Sequence, residues 1–151
     1  MADIVDARTR SRMMSKIKSS NTTPEKVIRT ALHRRGFRFS LHRKDLPGTP
    51  DIVLPAYKTA IFVHGCFWHY HECKDSRLPT TNREFWIKKF MANRQRDQRN
   101  LEKLFELNWY VAIVWECSVR DTTMNFIDES IDDLGLWLRR TKFRRRLKVL
   151  R

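Results

Sequence analysis

The segment at residues 63–73, VHGCFWHYHEC, constrains the fold of this chain more than any other part of the sequence. It holds two of the three cysteines and three of the five histidines. Thiolate and imidazole are the preferred protein ligands of zinc. The remaining cysteine follows an apolar run that predicts a strand, and adjacent strands lie only about 4.8 Å apart. The spacing favours a closed, structural zinc site over three buried thiols and a surface histidine, with Cys66, His71, Cys73 and Cys117 as its ligands.

Helical and strand patterns follow one another along the 151 residues and predict a single α/β or α+β domain. A first helix is expected from Thr23 as N-cap with Pro24 at its first position. A long helix is expected from the capping-box pair Thr81 and Glu84 to about residue 107, and a last one at residues 126–138. Apolar or alternating runs predict the strands, which fall at residues 37–41, 51–54, 60–64 and 109–115.

The chain is strongly basic, with 31 lysines and arginines against 17 acidic residues and a net charge of +14. Such an excess attracts polyanions, so nucleic acid is the expected partner, with a solvated basic surface as the alternative. The longest apolar runs, at residues 60–63 and 111–115, are far too short to span a membrane, and the N-terminus lacks a signal-peptide pattern. We therefore expect a cytoplasmic protein whose cysteines stay reduced.

A catalytic signal lies where Asp51 opens one predicted strand and Val63-His64 closes the next. An aspartate beside a carbonyl of a neighbouring strand can hold magnesium, which activates water against a phosphodiester. His64 and His69 are not needed for zinc and are free to move protons or contact a phosphate. Glu25 could add a second carboxylate. The alternatives are a turn cap for Asp51, a strand-end histidine for His64 and a favourable helix N-terminal charge for Glu25.

Two large aromatics, Phe67 and Trp68, stand among the polar candidate ligands and cannot both be buried easily. Aromatic wedges insert between base steps of DNA, at an unstacking cost of a few kcal/mol. A mismatched step costs less to open, so such a wedge would favour damaged DNA. Trp86 could join this wedge, or could pack in the core with Phe85 and Phe90.

Several motifs together resemble the very short patch repair (Vsr-type) DNA mismatch endonucleases. They are LPGTPD at residues 46–51, IFVHGCFWH at 61–69, HEC at 71–73 and VWEC at 114–117, together with TRS at 9–11 and EFW at 84–86. The resemblance covers about residues 1–120. It implies an α/β domain with a central mixed β-sheet flanked by helices, as in the restriction-endonuclease-like (PD-(D/E)xK) fold. The acidic-lysine element of that wider superfamily is missing from this sequence, and Val63-His64 and His69 stand in its place.

The resemblance implies an enzyme that nicks DNA 5′ to the thymine of a T·G mismatch, left when 5-methylcytosine deaminates, and so starts short-patch repair. Asp51 would hold catalytic Mg²⁺ with the main-chain carbonyl of Val63. His69 would act as general acid/base or orient the water, supported by His64 and Glu25. The remaining implied roles are structural Zn²⁺ at Cys66, His71, Cys73 and Cys117, and a DNA wedge formed by Phe67, Trp68 and Trp86, with Met14 inserting from the opposite groove.

We expect a DNA-contacting segment at residues 1–22, a nuclease domain at 23–138 and a basic tail at 139–151. The tail has no counterpart in the family; its role is open, and it could add phosphate contacts. The resemblance also implies a set of partners. The expected partner is double-stranded DNA with a T·G mismatch, bound by a monomer with a nucleoid-associated activity. A cytosine-5 DNA methyltransferase and a repair polymerase would be functionally linked. The alternatives are a restriction-type endonuclease acting on paired DNA and a non-catalytic, zinc-stabilised DNA-binding protein.

Overall fold

The computed structural model of the protein describes residues 6–17, 20–74, 76–120, 124–140 and 146–151. The α-helices in these ranges are α1 (Ala7–Ser15), α2 (Thr23–Arg34), α3 (Arg83–Glu106), α4 (Cys117–Arg120) and α5 (Met124–Arg139). The strands are β1 (Ser40–Leu41), β2 (Ile52–Leu54), β3 (Thr59–His64), β4 (Tyr110–Trp115) and β5 (Leu147–Leu150), and a 3-10 helix at Pro55–Tyr57 joins β2 to β3. Among the described residues, no helix combines the length and the apolar character needed to cross a membrane.

The strands form one mixed sheet in the order β1-β2-β3-β4-β5. The β1–β2 and β2–β3 pairs are antiparallel, and the β3–β4 and β4–β5 pairs are parallel. In the β3–β4 pair, Thr59 lies opposite Tyr110 at one end and His64 lies opposite Trp115 at the other. Because both strands run the same way, the segments that follow His64 and Trp115 begin side by side at one edge of the sheet.

Helices cover both faces of this sheet because each presents an apolar stripe. Ile28 and Leu32 of α2 and Ile131 and Leu134 of α5 are fully buried in one core cluster with alternate residues of β2, β3 and β4. Leu104 of α3 belongs to a second cluster, which uses the intervening strand residues and therefore lies on the opposite face. Each buried aliphatic side chain stabilises the fold by about 1.5 to 3 kcal/mol. The expected single α/β domain with a central mixed sheet flanked by helices is confirmed.

The predicted strand at residues 37–41 and the start of the long helix differ from the observed elements, and the last helix is slightly longer than predicted, at Met124–Arg139. The strand expected at residues 37–41 is only Ser40–Leu41, because the Phe37 N–H donates to the Leu32 carbonyl (3.1 Å) and so belongs to the end of α2. The long helix begins after Asn82 and not after Thr81; Asn82 has a φ of 53°, a left-handed conformation that asparagine tolerates better than most residues.

The basic segment at 139–151 contributes β5, a strand that the sequence did not predict. The segment is mostly basic, but apolar Leu147 and Val149 alternate with Lys148, which is the pattern of a strand. β5 pairs in parallel with β4. The Arg146 guanidinium fastens its start by donating to the Phe105 carbonyl (2.6 Å) and to the Asn108 side-chain oxygen (3.0 Å). Residues 141–145 of this segment lie outside the described residues.

Candidate active site and metal centre

Asp51 lies directly before β2, where its carboxylate faces the neighbouring strand β3. Its Oδ2 accepts a hydrogen bond from the Val63 N–H at 2.8 Å. Burial raises the pKa of Asp51 from 3.8 to about 6, although the Val63 amide acts in the opposite direction. The charge of Glu25 adds to the rise. A buried carboxylate with a raised pKa is poised to receive a compensating cation.

Glu25 comes to the same place from the first turn of α2. The N-cap of this helix is Thr22 and not, as predicted, Thr23. Glu25 accepts hydrogen bonds from the Asn21 N–H (3.0 Å) and the Thr22 hydroxyl (3.1 Å), so two groups at the start of the helix orient its carboxylate. With only 3% of its surface exposed, the Glu25 carboxylate is held rigidly, and its negative charge contributes to the raised pKa of Asp51.

His42 stands between these two carboxylates and was missed by the sequence analysis. Its Nε2 lies 3.6 Å from Glu25 Oε2, and its Nδ1 lies 3.9 Å from Asp51 Oδ1. One potential ligand atom from each of the three residues lies within 4.8 Å of the others. The three side chains therefore form a candidate cation site of two carboxylates and one imidazole.

His64 and His69 form a stacked pair beside Asp51. Their ring centroids are 3.8 Å apart and their planes differ by 2°. Burial lowers the pKa of His64 to about 3, so this imidazole is neutral at physiological pH. The Nδ1 of His69 lies within hydrogen-bonding distance of an Asp97 carboxylate oxygen. Two of the residues proposed for chemistry are thus adjacent, and the outer one is oriented by a carboxylate.

Asp97 and Asn93 are site residues that the sequence analysis left unassigned in the polar middle of α3. They are four residues apart and share one face of the helix. Asn93 is 8% exposed and its side-chain amide donates to the Trp68 carbonyl (2.8 Å). Burial alone would raise the pKa of Asp97, but its hydrogen bond with His69 and the neighbouring positive charges leave that pKa below its ordinary value. In the sequence, the only indication of this role is that two polar residues stand four positions apart on one face of a helix that is otherwise amphipathic.

The four predicted zinc ligands converge. One potential ligand atom from each of Cys66, His71, Cys73 and Cys117 lies within 4.8 Å of the other three. The parallel β3–β4 pair brings the segments that carry Cys66 and Cys117 side by side. As a result, the Cys117 N–H donates to Cys66 Sγ at 3.4 Å, and Cys117 Sγ lies 3.6 Å from His71 Nδ1. Burial raises the pKa of the Cys66 thiol to about 12 and raises that of Cys117 as well. Thiolates form in such a place only beside a compensating cation, so the donor set fits a closed metal site.

The three aromatics predicted as a wedge meet in one cluster between the Cys/His loop and the start of α3. The Phe67 ring centroid lies 5.1 Å from that of Trp68 and 5.2 Å from that of Trp86. Trp86 also contacts Phe85, which is 59% exposed, and the buried Phe90. Trp86 therefore contacts Phe67 and Trp68 as well as its helix neighbours. Phe67, Trp68 and Trp86 together form the aromatic cluster.

Met14, the remaining predicted DNA contact, lies on α1. Its side chain is 41% exposed, and that of Met13 is 56% exposed. All residues of α1 are described and none of them is buried. The helix is held locally by Asp6, whose side chain accepts a hydrogen bond from the Thr9 N–H. Met14 is thus presented to solvent on a short basic helix.

A cleft of about 1260 Å³ connects the two candidate metal sites. Asp51, His42, His64, His69 and Asp97 line it, and His71 of the Cys/His group reaches it as well. Its lining also includes basic side chains that suit a polyanion, namely Lys44, Arg94, Arg96 and Arg151.

Comparisons with known proteins place this site in a family. The family model described as DNA mismatch endonuclease Vsr matches residues 2–75. Type II nicking enzyme V.XorIIP of Xanthomonas oryzae pv. oryzae is 49% identical over 121 residues, which cover 80% of this chain and 89% of the relative. DNA mismatch endonuclease Vsr of Escherichia coli (strain K12) is 44% identical over 120 residues, which cover 80% of this chain and 77% of the relative. This chain therefore belongs to the Vsr family of DNA mismatch endonucleases and is a nuclease.

Proposed function

We propose that this nuclease hydrolyses one DNA strand on the 5′ side of the thymine in a T·G mismatch and thereby initiates very short patch repair. The observation that carries the proposal is that Asp51 lines one cleft together with the stacked pair of His64 and His69. Phe67 and Trp68 lie on the same loop as His69 and contact Trp86 of α3. A cytosine-5 methyltransferase would supply the modified base whose deamination creates the mismatch, and a repair polymerase would fill the gap.

The residues around Asp51 fit a catalytic Mg²⁺ ion because magnesium favours oxygen ligands, and a bound cation would offset the burial that raises the pKa of this carboxylate. Asp51 and the main-chain carbonyl of Val63 would hold the ion, with Glu25 facing its water shell. When bound, magnesium polarises a phosphodiester oxygen and makes an attacking water more acidic. This arrangement, with an acid at the start of β2 beside β3, also supports a core of the restriction-endonuclease-like type.

His69 is the proposed proton carrier. Because its Nδ1 is engaged by Asp97, Nε2 is the atom left to exchange a proton with the attacking water or the leaving oxygen. His64 stays neutral and stacks on the His69 ring, so it fixes the plane of that ring. Asp97 acts through His69 and is a positioning residue.

An Asp97→Asn variant tests this assignment. An amide in place of the carboxylate stops stabilising a positively charged His69 and can favour the wrong tautomer, so we expect single-turnover nicking to slow by about 10² to 10⁴-fold. The dependence of the rate on pH should change as well, because the carboxylate that contacts His69 is replaced by a neutral amide. Glu102→Gln, an exposed change on the same helix, is the matched control. An unchanged rate and pH profile in Asp97→Asn would contradict the role.

The Cys66, His71, Cys73 and Cys117 group is proposed to bind structural Zn²⁺. Four protein ligands leave no open position for substrate, so the ion would act on structure and not on chemistry. It would fix the loop that carries His69, Phe67 and Trp68. Residues 1–22, with Met14, are proposed as a further DNA-contacting segment, and the basic residues of 139–151 as phosphate contacts.

Mismatch selectivity is proposed to reside in the aromatic cluster, because opening a mismatched step costs less than opening a paired one. A panel of duplexes that differ only at one base pair tests the proposed function. We expect nicking of the T strand opposite G. On fully paired T·A and C·G duplexes the rate should be lower by about 10²-fold or more. A change at one base pair alters the binding free energy by about 1 to 3 kcal/mol, and the cleavage step adds further discrimination. Double-strand cleavage of fully paired DNA would overturn the proposal in favour of a restriction activity.

A further inference from the structure

His42 occupies an unusual position next to the proposed catalytic carboxylate. It follows β1 directly with a φ of 47°, a left-handed conformation that is uncommon outside glycine. Its N–H donates to the Asp51 carbonyl at 3.2 Å. This main-chain hydrogen bond holds the backbone of His42 next to that of Asp51, and its side chain therefore starts close to the Asp51 carboxylate.

The His42 imidazole has polar neighbours but no hydrogen bond to them. Its Nε2 is buried and has no hydrogen-bond partner among the described residues. The distances of 3.6 Å to Glu25 Oε2 and 3.9 Å to Asp51 Oδ1 are too long for hydrogen bonds. A buried polar nitrogen without a partner is costly, so the gap between these three side chains calls for another occupant.

A divalent cation fits this gap. Two ligands that each lie about 2.1 Å from one ion are separated by about 3.0 to 4.2 Å, depending on the angle between them. The separation of 3.6 Å between His42 Nε2 and Glu25 Oε2 falls in this range. One potential ligand atom from each of Glu25, His42 and Asp51 lies within 4.8 Å of the other two. Two nearby carboxylates also supply the negative charge that a divalent ion needs.

We propose that His42 is a side-chain ligand of the cation held at Asp51 and that it shifts the preference of this site from Mg²⁺ toward Mn²⁺ or Co²⁺. Magnesium favours oxygen ligands, whereas imidazole nitrogen suits the transition metals, whose affinity rises from Mn²⁺ to Co²⁺. The inference rests on the proposed function, because it needs a cation at Asp51. It adds a determinant of metal choice that oxygen ligands alone would not provide.

The test measures Mn²⁺ directly by electron paramagnetic resonance on the full chain with its Cys/His site filled by zinc. Zinc is d¹⁰ and adds no signal. In the wild-type protein we expect nitrogen modulation of the bound Mn²⁺ in pulsed spectra. In His42→Gln we expect this modulation to be lost and Mn²⁺ to bind about 10 to 100-fold more weakly, while Mg²⁺ affinity, from competition, changes by less than about threefold. His33→Gln, an exposed histidine on α2, is the control.

An Asp51→Asn variant distinguishes a failure of the role of His42 from a failure of the proposed magnesium site. If wild-type protein binds Mn²⁺ at a site that Asp51→Asn destroys, but the ion carries no nitrogen modulation, the role of His42 is overturned and the proposed catalytic cation stands. If no Mn²⁺ or Mg²⁺ site responds to Asp51→Asn, the proposed magnesium site itself fails. The wild-type spectrum decides the role of His42 even if His42→Gln does not fold, which circular dichroism monitors.

Discussion

Replacing Asp51 by asparagine should slow nicking of a T·G duplex by about 10³-fold or more, because a cation that stabilises charge in the transition state contributes several kcal/mol. The amide oxygen can still accept the hydrogen bond from the Val63 N–H, so the local structure is retained. What is lost is the negative charge that would hold the proposed cation. Single-turnover nicking at saturating Mg²⁺ is the measurement, and activity within about threefold of the wild type would remove Asp51 from the chemistry.

The same substitution should stabilise the protein when no divalent cation is added. The pKa of Asp51 is about 6 in the folded protein against 3.8 for an ordinary aspartate. Between these values the folded chain holds a proton that the unfolded chain has released, so the stability of the wild type falls as pH rises from about 4 to about 6. The asparagine side chain of the variant cannot ionise, so above pH 6 the variant should be more stable by about 1 to 3 kcal/mol.

Urea unfolding at pH 4 and pH 7.5 checks this opposition between stability and activity. The advantage of Asp51→Asn should be present at pH 7.5 and absent at pH 4. Asp45→Asn, at an exposed aspartate paired with Arg43, should show no such gain. Equal stability of the wild type and Asp51→Asn at both pH values would mean that burial does not disfavour the charged form of the Asp51 carboxylate.

Loss of one zinc ligand should have the second large effect. We expect Cys117→Ser to lose bound zinc and to reduce the free energy of unfolding by about 3 to 5 kcal/mol, because metal binding contributes directly to folding. The serine keeps the main-chain hydrogen bond to Cys66 Sγ, so the change removes a ligand and little else. Elemental analysis and thermal unfolding are the measurements.

A Cys117→His variant is the matched control for this experiment, because imidazole is also a zinc ligand. It should recover part of the zinc and part of the lost stability. Wild-type protein without about one equivalent of zinc, or Cys117→Ser with its full complement, would contradict a structural zinc site. Nicking by Cys117→Ser should fall as well, since His69 lies on the loop that the ion would fix.

The candidate metal ligands were predictable because strand ends are easy to locate in a sequence. Apolar runs mark β3 and β4, and a cysteine just beyond each run places Cys66 and Cys117 at one sheet edge. His42 and Asp97 were not predictable in this way. Their roles depend on how β1 turns into the cleft and on which face α3 presents to it, and both are set by packing between elements that are distant in the chain.

Strand β5 escaped prediction for a different reason. Its apolar residues are few, and its pairing partner β4 provides the context that local sequence lacks. Propensity for strands depends strongly on such neighbours. The helix starts were missed by one or two residues only, because Thr22 and Thr23, or Thr81 and Asn82, offer competing caps at adjacent positions.

The parallel pairing of β3 with β4 also orders events during folding. Cys66 and Cys117 are 51 residues apart in the chain, so closing the four-ligand group requires a long loop to close first. Before β4 docks, a chain holds three of these ligands at most, and nothing fixes the loop that carries His69. Attraction to DNA needs only the net charge of +14. A chain in which β4 has not docked would therefore keep its attraction to a polyanion before the loop that carries His69 is held in place.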